Sequence, residues 1–397
     1  MKIIPPRYDA IVIGAGPAGS MAAYEIADAG FAVLLLEKHK QVGLPLCCAE
    51  AVSRPALERI IIPRREWISA DFNRIRLVAP DGEEMTLFHA DAGYVLDRKA
   101  FDSGLADRAV QAGSQLECEA IGLELLRDGD DFRAIKVIGP DTRTVEVSAR
   151  IFIAADGVES RIARLAGLDN VISIREAEAL LQYRVQDVEI EPNTVEFHVG
   201  NEIAPGSYVW VFPKSATSAN VGVGVEIESH KGSEAAVYLK RFIEKRFPGA
   251  AIVESMCGLV PKYQGKEMFR LGNLLVVGDA ARAVDSLSGA GIVSGMLSGK
   301  YAGLAAAEYL SGRVRTPAQL EKYYPGRFLR EKGEELALYS KLRKVYRKLD
   351  DRDFIDITIA LREYSQKNNA SGISAAKLMA GIVKTRPRLI RHAWHLR

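Results

Sequence analysis

The 397-residue chain has little of what marks several protein classes. It carries four cysteines, two of them adjacent at Cys47 and Cys48. That supply excludes a disulfide framework and a paired CxxC metal site, and it suits a reducing, cytoplasmic setting. Six histidines include His392 and His395 at helical spacing, but no third ligand accompanies them, so no metal is expected. Charge of one sign is also missing: a net charge of +2 gives no overall draw toward nucleic acid. Low-complexity tracts and solenoid-period repeats are absent. The start MKIIPPRYDAIVIGAG has no h-region or cleavage site, so no signal peptide is read. A long uncharged apolar run is lacking too. The nearest is GAGIVSGMLSGKYAGLAAAEYL (289–310), which Lys300 and Glu308 interrupt; both would be costly in lipid. Its glycines at 291, 295, 299 and 303 repeat at small-xxx-small spacing and predict a soluble helix lying very close to a neighbour.

What is present is an α/β pattern. YDAIVIGAGPAGSMAAYEIADAGFAVLLLEK (8–38) reads as strand, tight turn, helix, turn, strand, with Gly30 ending the helix. The run Ala10–Ile13 is short, apolar and β-branched, as a buried parallel strand should be. Further buried strands return at RIFIAAD (150–156) and NLLVVGD (273–279). Between them, 180–227 reads as a set of β-strands, and 72–96 as strands around the hairpin PDGE. The expected architecture is a discontinuous Rossmann-like nucleotide-binding domain (1–71, 97–175, 270–310). A mostly antiparallel sheet is inserted (72–96, 176–269), and a helical region follows (311–397).

Gly14, Gly16 and Gly19 form G-x-G-x-x-G at the first strand-to-helix junction. Gly14 permits the turn, Gly16 lets a pyrophosphate approach the backbone, and Gly19 lets the helix pack on the strand. Glu37, ending the second strand, is placed to accept from a ribose hydroxyl. A bound dinucleotide follows. LLVVGDAARAVDSLSGAGI (274–292) points to which one. Gly278 and Asp279 are read as opening a helix, where a carboxylate can bind a ribityl hydroxyl. Gly289 and Gly291 remove side chains where a flat ring must meet backbone.

GAGPAG with Glu37, YVLDRKAFD (94–102), ADGVESRIARLAGL (155–168) and GDAA (278–281) together resemble the FAD enzymes of the p-hydroxybenzoate hydroxylase type. The resemblance spans residues 8 to about 310. It implies non-covalent FAD, with Arg98 near the phosphate or ribose, Asp156 and Gly157 as a further nucleotide contact, and Asp279 on the ribityl chain. Ala18, Lys38 and Ile292 join them as implied cofactor neighbours.

Within that superfamily, YVWVFP (208–213) is similar to the Y-x-W-x-F-P motif of geranylgeranyl reductases, which saturate C=C bonds of polyprenyl chains. GLPLCCAEAVS (43–53) resembles their G-x-P-x-x-C-G-E segment, with Ala49 where Gly is usual. Cys48, Ala49 and Glu50 are thereby implied to lie near the flavin. Read as a strand, Tyr208, Trp210 and Phe212 share one face, and Pro213 is expected to end the pairing. The three rings are expected to form one wall of an apolar substrate slot; burial in an ordinary sheet core is the alternative. Reduced flavin is then expected to offer a hydride, and Cys48 is the candidate proton donor because a thiol is an available acid; a buried small apolar group is the alternative. NVGVGVE (220–226) reads as a strand and not as an NAD(P)H site, so NAD(P)H and a ferredoxin-like protein both stay open as electron donor. A flavin monooxygenase or halogenase is the rival activity. The tail, RKVYRKL (343–349) and VKTRPRLIRHAWHLR (383–397), is basic. It is expected either as a solvated helix face or as a surface for anionic membrane, with Trp394 and Leu396 dipping in.

Overall fold

The computed structural model describes residues 4–168, 177–226 and 234–367; the expectations for Trp394, Leu396, His392 and His395 lie outside them. The chain divides into two compact units. The first comprises Met1–Leu46, Arg98–Ser173 and Pro261–Ser340. The second comprises Cys47–Asp97, Ile174–Val260 and Lys341–Arg397. Residues 47–71, expected with the nucleotide domain, thus cluster with the sheet unit. Of the described residues after 310, those up to Ser340 cluster with the first unit and those from Lys341 with the second.

The first unit is built on a six-stranded sheet. Its order is Arg270–Leu271, Leu274–Val276, Ile151–Ala154, Ala10–Ile13, Val33–Leu36 and Gln115–Glu117. Only the first pair is antiparallel. The central strands are buried along their whole length, the signature of a parallel sheet covered on both faces. A second, three-stranded sheet over Ile121–Asp128, Asp131–Ile138 and Thr144–Ser148 was not foreseen. The glycine stripe of the helix Ile292–Leu310 meets the helix Pro17–Asp28. A Cβ on Gly299 would overlap the Ala18 carbonyl oxygen, and one on Gly303 would stand 2.7 Å from Ala22 O. Among the described residues no helix is long and apolar enough to cross a membrane.

The second unit carries an eight-stranded sheet. Its order is Ala251–Val260, Glu178–Gln186, Ser218–Glu226, Tyr208–Ser215, Thr194–Val199, Ile68–Val78, Glu84–Leu96 and Ala51–Ser53. It is antiparallel except where Thr194–Val199 runs parallel to Ile68–Val78. Side-chain alternation splits its core in two. Val209 and Val211 pack with Leu239, Ile243 and Phe247 of the helix Glu234–Arg246 and its C-terminal end. Trp210 and Phe212 lie on the other face with Phe72, Val95 and Val195.

Two local expectations are corrected. Pro213 does not end the pairing: it stands opposite Ala219, and the ladder resumes at Ser215 after a register shift. On its other side the pairing with Thr194–Val199 reaches only Val211. The proline thus sits where one neighbour has stopped, so a missing N–H is tolerated. Gly278 and Asp279 form a single 3-10 turn, Gly278–Ala281, and the long helix begins only at Ile292.

Candidate functional site

The first unit holds a cradle. Gly14 has φ +105°, and a Cβ there would overlap the Ala155 carbonyl oxygen, so the loop closes against the neighbouring strand only with glycine. In front of Gly16 nothing lies within 4 Å of a Cβ position. The helix that Gly16 caps has no side-chain cap, which leaves its first N–H groups free for an anion. Glu37 is buried and accepts from Ala15 N (3.0 Å) and His39 N (3.0 Å). Oε2 fixes the glycine loop through Ala15, and Oε1, which accepts from His39 N, also has the His39 ring Nδ1 at 2.7 Å. Lys38 pairs with Glu159 at 2.8 Å.

Three further groups converge on the carboxyl ends of these strands. Asp156 Oδ2 accepts from Ile162 N at 2.8 Å, holding the next helix, while its Oδ1 is buried with no hydrogen-bond partner. Gly157 follows with φ +71°. Asp279 is half-buried, and desolvation raises its pKa against the opposing charge of Arg98. Arg98 grips Asp102 bidentately at 2.7 and 2.8 Å. A Cβ on Gly291 would stand 3.2 Å from Asp279 Oδ1, and the helix starting at Ile292 has no side-chain cap either. Gly289 has φ +73°. An orphaned carboxylate oxygen, a second carboxylate desolvated at electrostatic cost, and two uncapped helix starts fit one ligand. It would have phosphates at one end and hydroxyls to offer at the other, as FAD does.

The second unit holds the ring face. Tyr208 and Trp210 meet edge-on at 6.0 Å, and Phe197 stacks edge-on to Tyr208 and to Phe212 at 5.4 Å each. Trp210 is 3% exposed and lies across the next strand, where a Cβ on Gly222 would overlap its Cζ2. Its Nε1–H donates to Gln182 Oε1 at 2.7 Å. Gln182 Nε2 in turn donates to the Cys48 carbonyl at 3.2 Å. Cys48 Sγ accepts from Glu50 N at 3.2 Å. Glu50 is 1% exposed and adopts φ +75°. Its carboxylate is held by Lys214 Nζ and Asn220 Nδ2, each at 2.6 Å. One sheet face therefore carries an apolar aromatic strip, and the Cys48–Glu50 segment is pinned to its edge.

The comparisons with known proteins agree with this picture. A family model described as the geranylgeranyl reductase catalytic domain matches residues 176–260, and one described as an NAD(P)-binding Rossmann-like domain matches residues 12–53. A digeranylgeranylglycerophospholipid reductase of Methanosarcina acetivorans is 38% identical over 90% of this chain and 89% of its own. That of Methanosphaerula palustris is 36% identical over 97% and 96%. The chain belongs to the geranylgeranyl reductase family. A solved geranylgeranyl bacteriochlorophyll reductase-like protein from Thermoplasma acidophilum superposes with TM-score 0.91 at 29% identity, covering 98% of this chain and 99% of that one. A flavin-dependent brominase reaches TM-score 0.71 at 17% identity over 96% and 100%, a likeness of fold alone.

This member of the family is an FAD-dependent oxidoreductase. Its inserted sheet is where the catalytic-domain model falls, and there the sequence reading left residues out. Gln182, Lys214, Asn220 and Phe197 carry no motif signal, since each is one polar or aromatic residue in an alternating strand. Gly222 did carry one. A glycine mid-strand signals close approach, and here the approaching group is Trp210. The basic run at 343–349 is also resolved in part: Arg343 is buried 3.3 Å from Glu178, and Arg347 stands 2.7 Å from Glu226. These two charges serve the sheet unit and are spoken for.

Proposed function

We propose that the protein saturates the C=C bonds of geranylgeranyl chains carried by a glycerophospholipid. The observation that carries this is the aromatic face on which Trp210 and Phe212 are buried in the sheet core while the half-buried Tyr208 and Phe197 leave ring area and no charge for a hydrocarbon. The named activity of relatives that match almost the whole chain supports the choice of lipid. FAD would be held by Gly14, Gly16, Ala18, Gly19, Glu37, Lys38, Arg98, Asp156, Gly157, Asp279, Gly289, Gly291 and Ile292, with Cys48 and Ala49 as further candidate cofactor contacts. Bound and reduced, it supplies a hydride equivalent.

The remaining work falls to side chains. An isolated trisubstituted alkene is electron-rich, so a proton must arrive early and leave cationic character at the tertiary carbon. The π-faces of Tyr208, Trp210 and Phe212 stabilise that charge and exclude the water that would capture it. Pro213 closes the end of the wall. Cys48 holds the proton at Sγ and delivers it to the alkene carbon, and the thiolate is reprotonated from solvent. The electron donor to FAD is NAD(P)H or a ferredoxin-like protein. The protein works at the surface of the membrane that contains its lipid.

Anaerobic incubation of the reduced holoenzyme with a panel of prenyl lipids, read by product mass spectrometry, tests the assignment. Digeranylgeranyl glycerophospholipid should gain hydrogen. Turnover of only the free prenyl diphosphate would replace this substrate, and hydroxylated or halogenated product in air would replace the reaction. Cys48→Ser should abolish prenyl reduction and leave FAD bound and reducible; normal turnover removes Cys48 from the mechanism.

A further inference from the structure

We infer that Gln182 is a positioning residue that sets the Cys48 segment against the face of Trp210; the inference rests on the reading that Cys48 serves the prenyl chain. Gln182 is 3% exposed and sits mid-strand in Glu178–Gln186. Its neighbours in register are Gly222 on one side and Met256 on the other. Its amide has both ends committed. The oxygen accepts from the Trp210 indole N–H at 2.7 Å. The nitrogen donates to the Cys48 backbone oxygen at 3.2 Å and reaches Met256 Sδ at 3.5 Å. Side chains of similar size without the amide cannot do this. Glutamate would offer two acceptors and no donor, leucine neither, and a buried indole N–H or carbonyl left unmade is expensive.

The Cys48 segment has a second anchor, which makes the first one consequential. Glu50, three-point held by Lys214, Asn220 and, at 3.8 Å, Arg184, is forced into a left-handed backbone conformation that a glutamate adopts only at a cost. Lys214 also donates to the Leu96 carbonyl at 2.6 Å, and Leu96 N returns to the Glu50 carbonyl at 2.9 Å. The Cys48 thiol, which accepts the Glu50 N–H, is therefore suspended between an ionic clamp on its C-terminal side and Gln182 on its own carbonyl. The clamp fixes how the segment is bent, and Gln182 fixes where it stands relative to the wall on which the hydrocarbon lies. Movement of the indole and movement of the thiol are coupled through one amide.

The test uses the FAD-loaded full chain in a Cys47→Ser background, so that alkylation of this segment reports Cys48. Gln182→Met conserves volume without either hydrogen bond, and Gln182→Glu keeps the acceptor for Trp210 while losing the donor to Cys48. Iodoacetamide alkylation of Cys48 in the absence of lipid, read by peptide mass spectrometry, should speed up about three- to ten-fold in both variants, the range of one net hydrogen bond. Turnover of the prenyl lipid should fall by a similar factor in kcat, with KM changed less than two-fold and bound FAD unchanged. Unchanged alkylation in both variants overturns the inference. So does faster alkylation with unchanged kcat, because the position of the thiol would then not matter to reduction. Cys48→Ser in the same assay separates the two claims. If it turns over normally, the role of Cys48 fails and takes the catalytic sense of the inference with it, while the alkylation rates still decide whether Gln182 sets the segment. If it is inactive, the Gln182 variants judge the inference alone.

Discussion

Gly222→Ala tests whether the strand glycine exists to seat the indole. The added methyl would overlap Trp210 Cζ2, stand 2.5 Å from Cε2 and 2.9 Å from the Leu181 carbonyl oxygen. Carbon atoms do not sit that close, so the indole must move. Overpacking of this kind costs about 1–3 kcal/mol. Tilting the ring also breaks the 2.7 Å bond to Gln182, and a buried amide oxygen left unmade costs about 1–3 kcal/mol more. Alanine recovers about 0.5–1 kcal/mol through lower chain entropy in the unfolded state. The net loss is about 3 kcal/mol. Trp210→Phe removes the atoms that clash, so in the double variant most of the penalty should vanish, less the residual contact with Leu181. Urea unfolding of the FAD-loaded wild type, both single variants and the double variant should show a coupling of about 1.5–2 kcal/mol. Additivity within about 0.5 kcal/mol would refute the packing argument. Turnover of Gly222→Ala should fall at least ten-fold at unchanged FAD content.

Other outcomes follow from the cradle. Gly299→Ala should unfold the first unit or empty it of FAD, because its methyl would overlap backbone at Ala18, whereas Gly295→Ala, with 3.7 Å to Gly278 Cα, should be tolerated; thermal melts and flavin content compare them. Asp279 has a raised pKa through desolvation, so the folded apoprotein keeps a proton that the unfolded chain has lost. Apoprotein stability should therefore fall as pH rises through and above the ordinary carboxylate range. Asp279→Asn should flatten that dependence and raise the apoprotein melting temperature at neutral pH, while weakening FAD binding at least ten-fold by titration. Lys214→Ala should leave Glu50 buried without its nearest cation and cost about 3–5 kcal/mol, read by urea unfolding, with Lys214→Arg partly restoring it.

Much of the fold was legible because short apolar runs and glycine punctuation are local signals. Ala10–Ile13, Val33–Leu36, Ile151–Ala154 and Leu274–Val276 announce themselves as buried parallel strands, and the stripe at 291–303 announces close approach. The three-stranded sheet over 121–148 did not, since its strands mix charge and apolar residues on an exposed face. The alternation of Tyr208, Trp210 and Phe212 gave the ring face directly. Gln182, Asn220 and Lys214 could not be found the same way: a lone polar residue acquires meaning only from the strand opposite, and register is a property of the folded sheet. Arg343 and Arg347 make the same point, for a basic helix end reads as solvated until buried Glu178 and Glu226 are seen beneath it.

The central claim is that electrons stored on a bound flavin pass into an isolated prenyl double bond. The most direct measurement is a single turnover without oxygen: the holoenzyme is bleached with stoichiometric dithionite, mixed with digeranylgeranyl glycerophospholipid in detergent, and followed at the oxidised-flavin absorption band. The account predicts that the band returns and that recovered lipid has gained one hydrogen molecule per flavin reoxidised. A spectrum that stays bleached over unaltered lipid would contradict it.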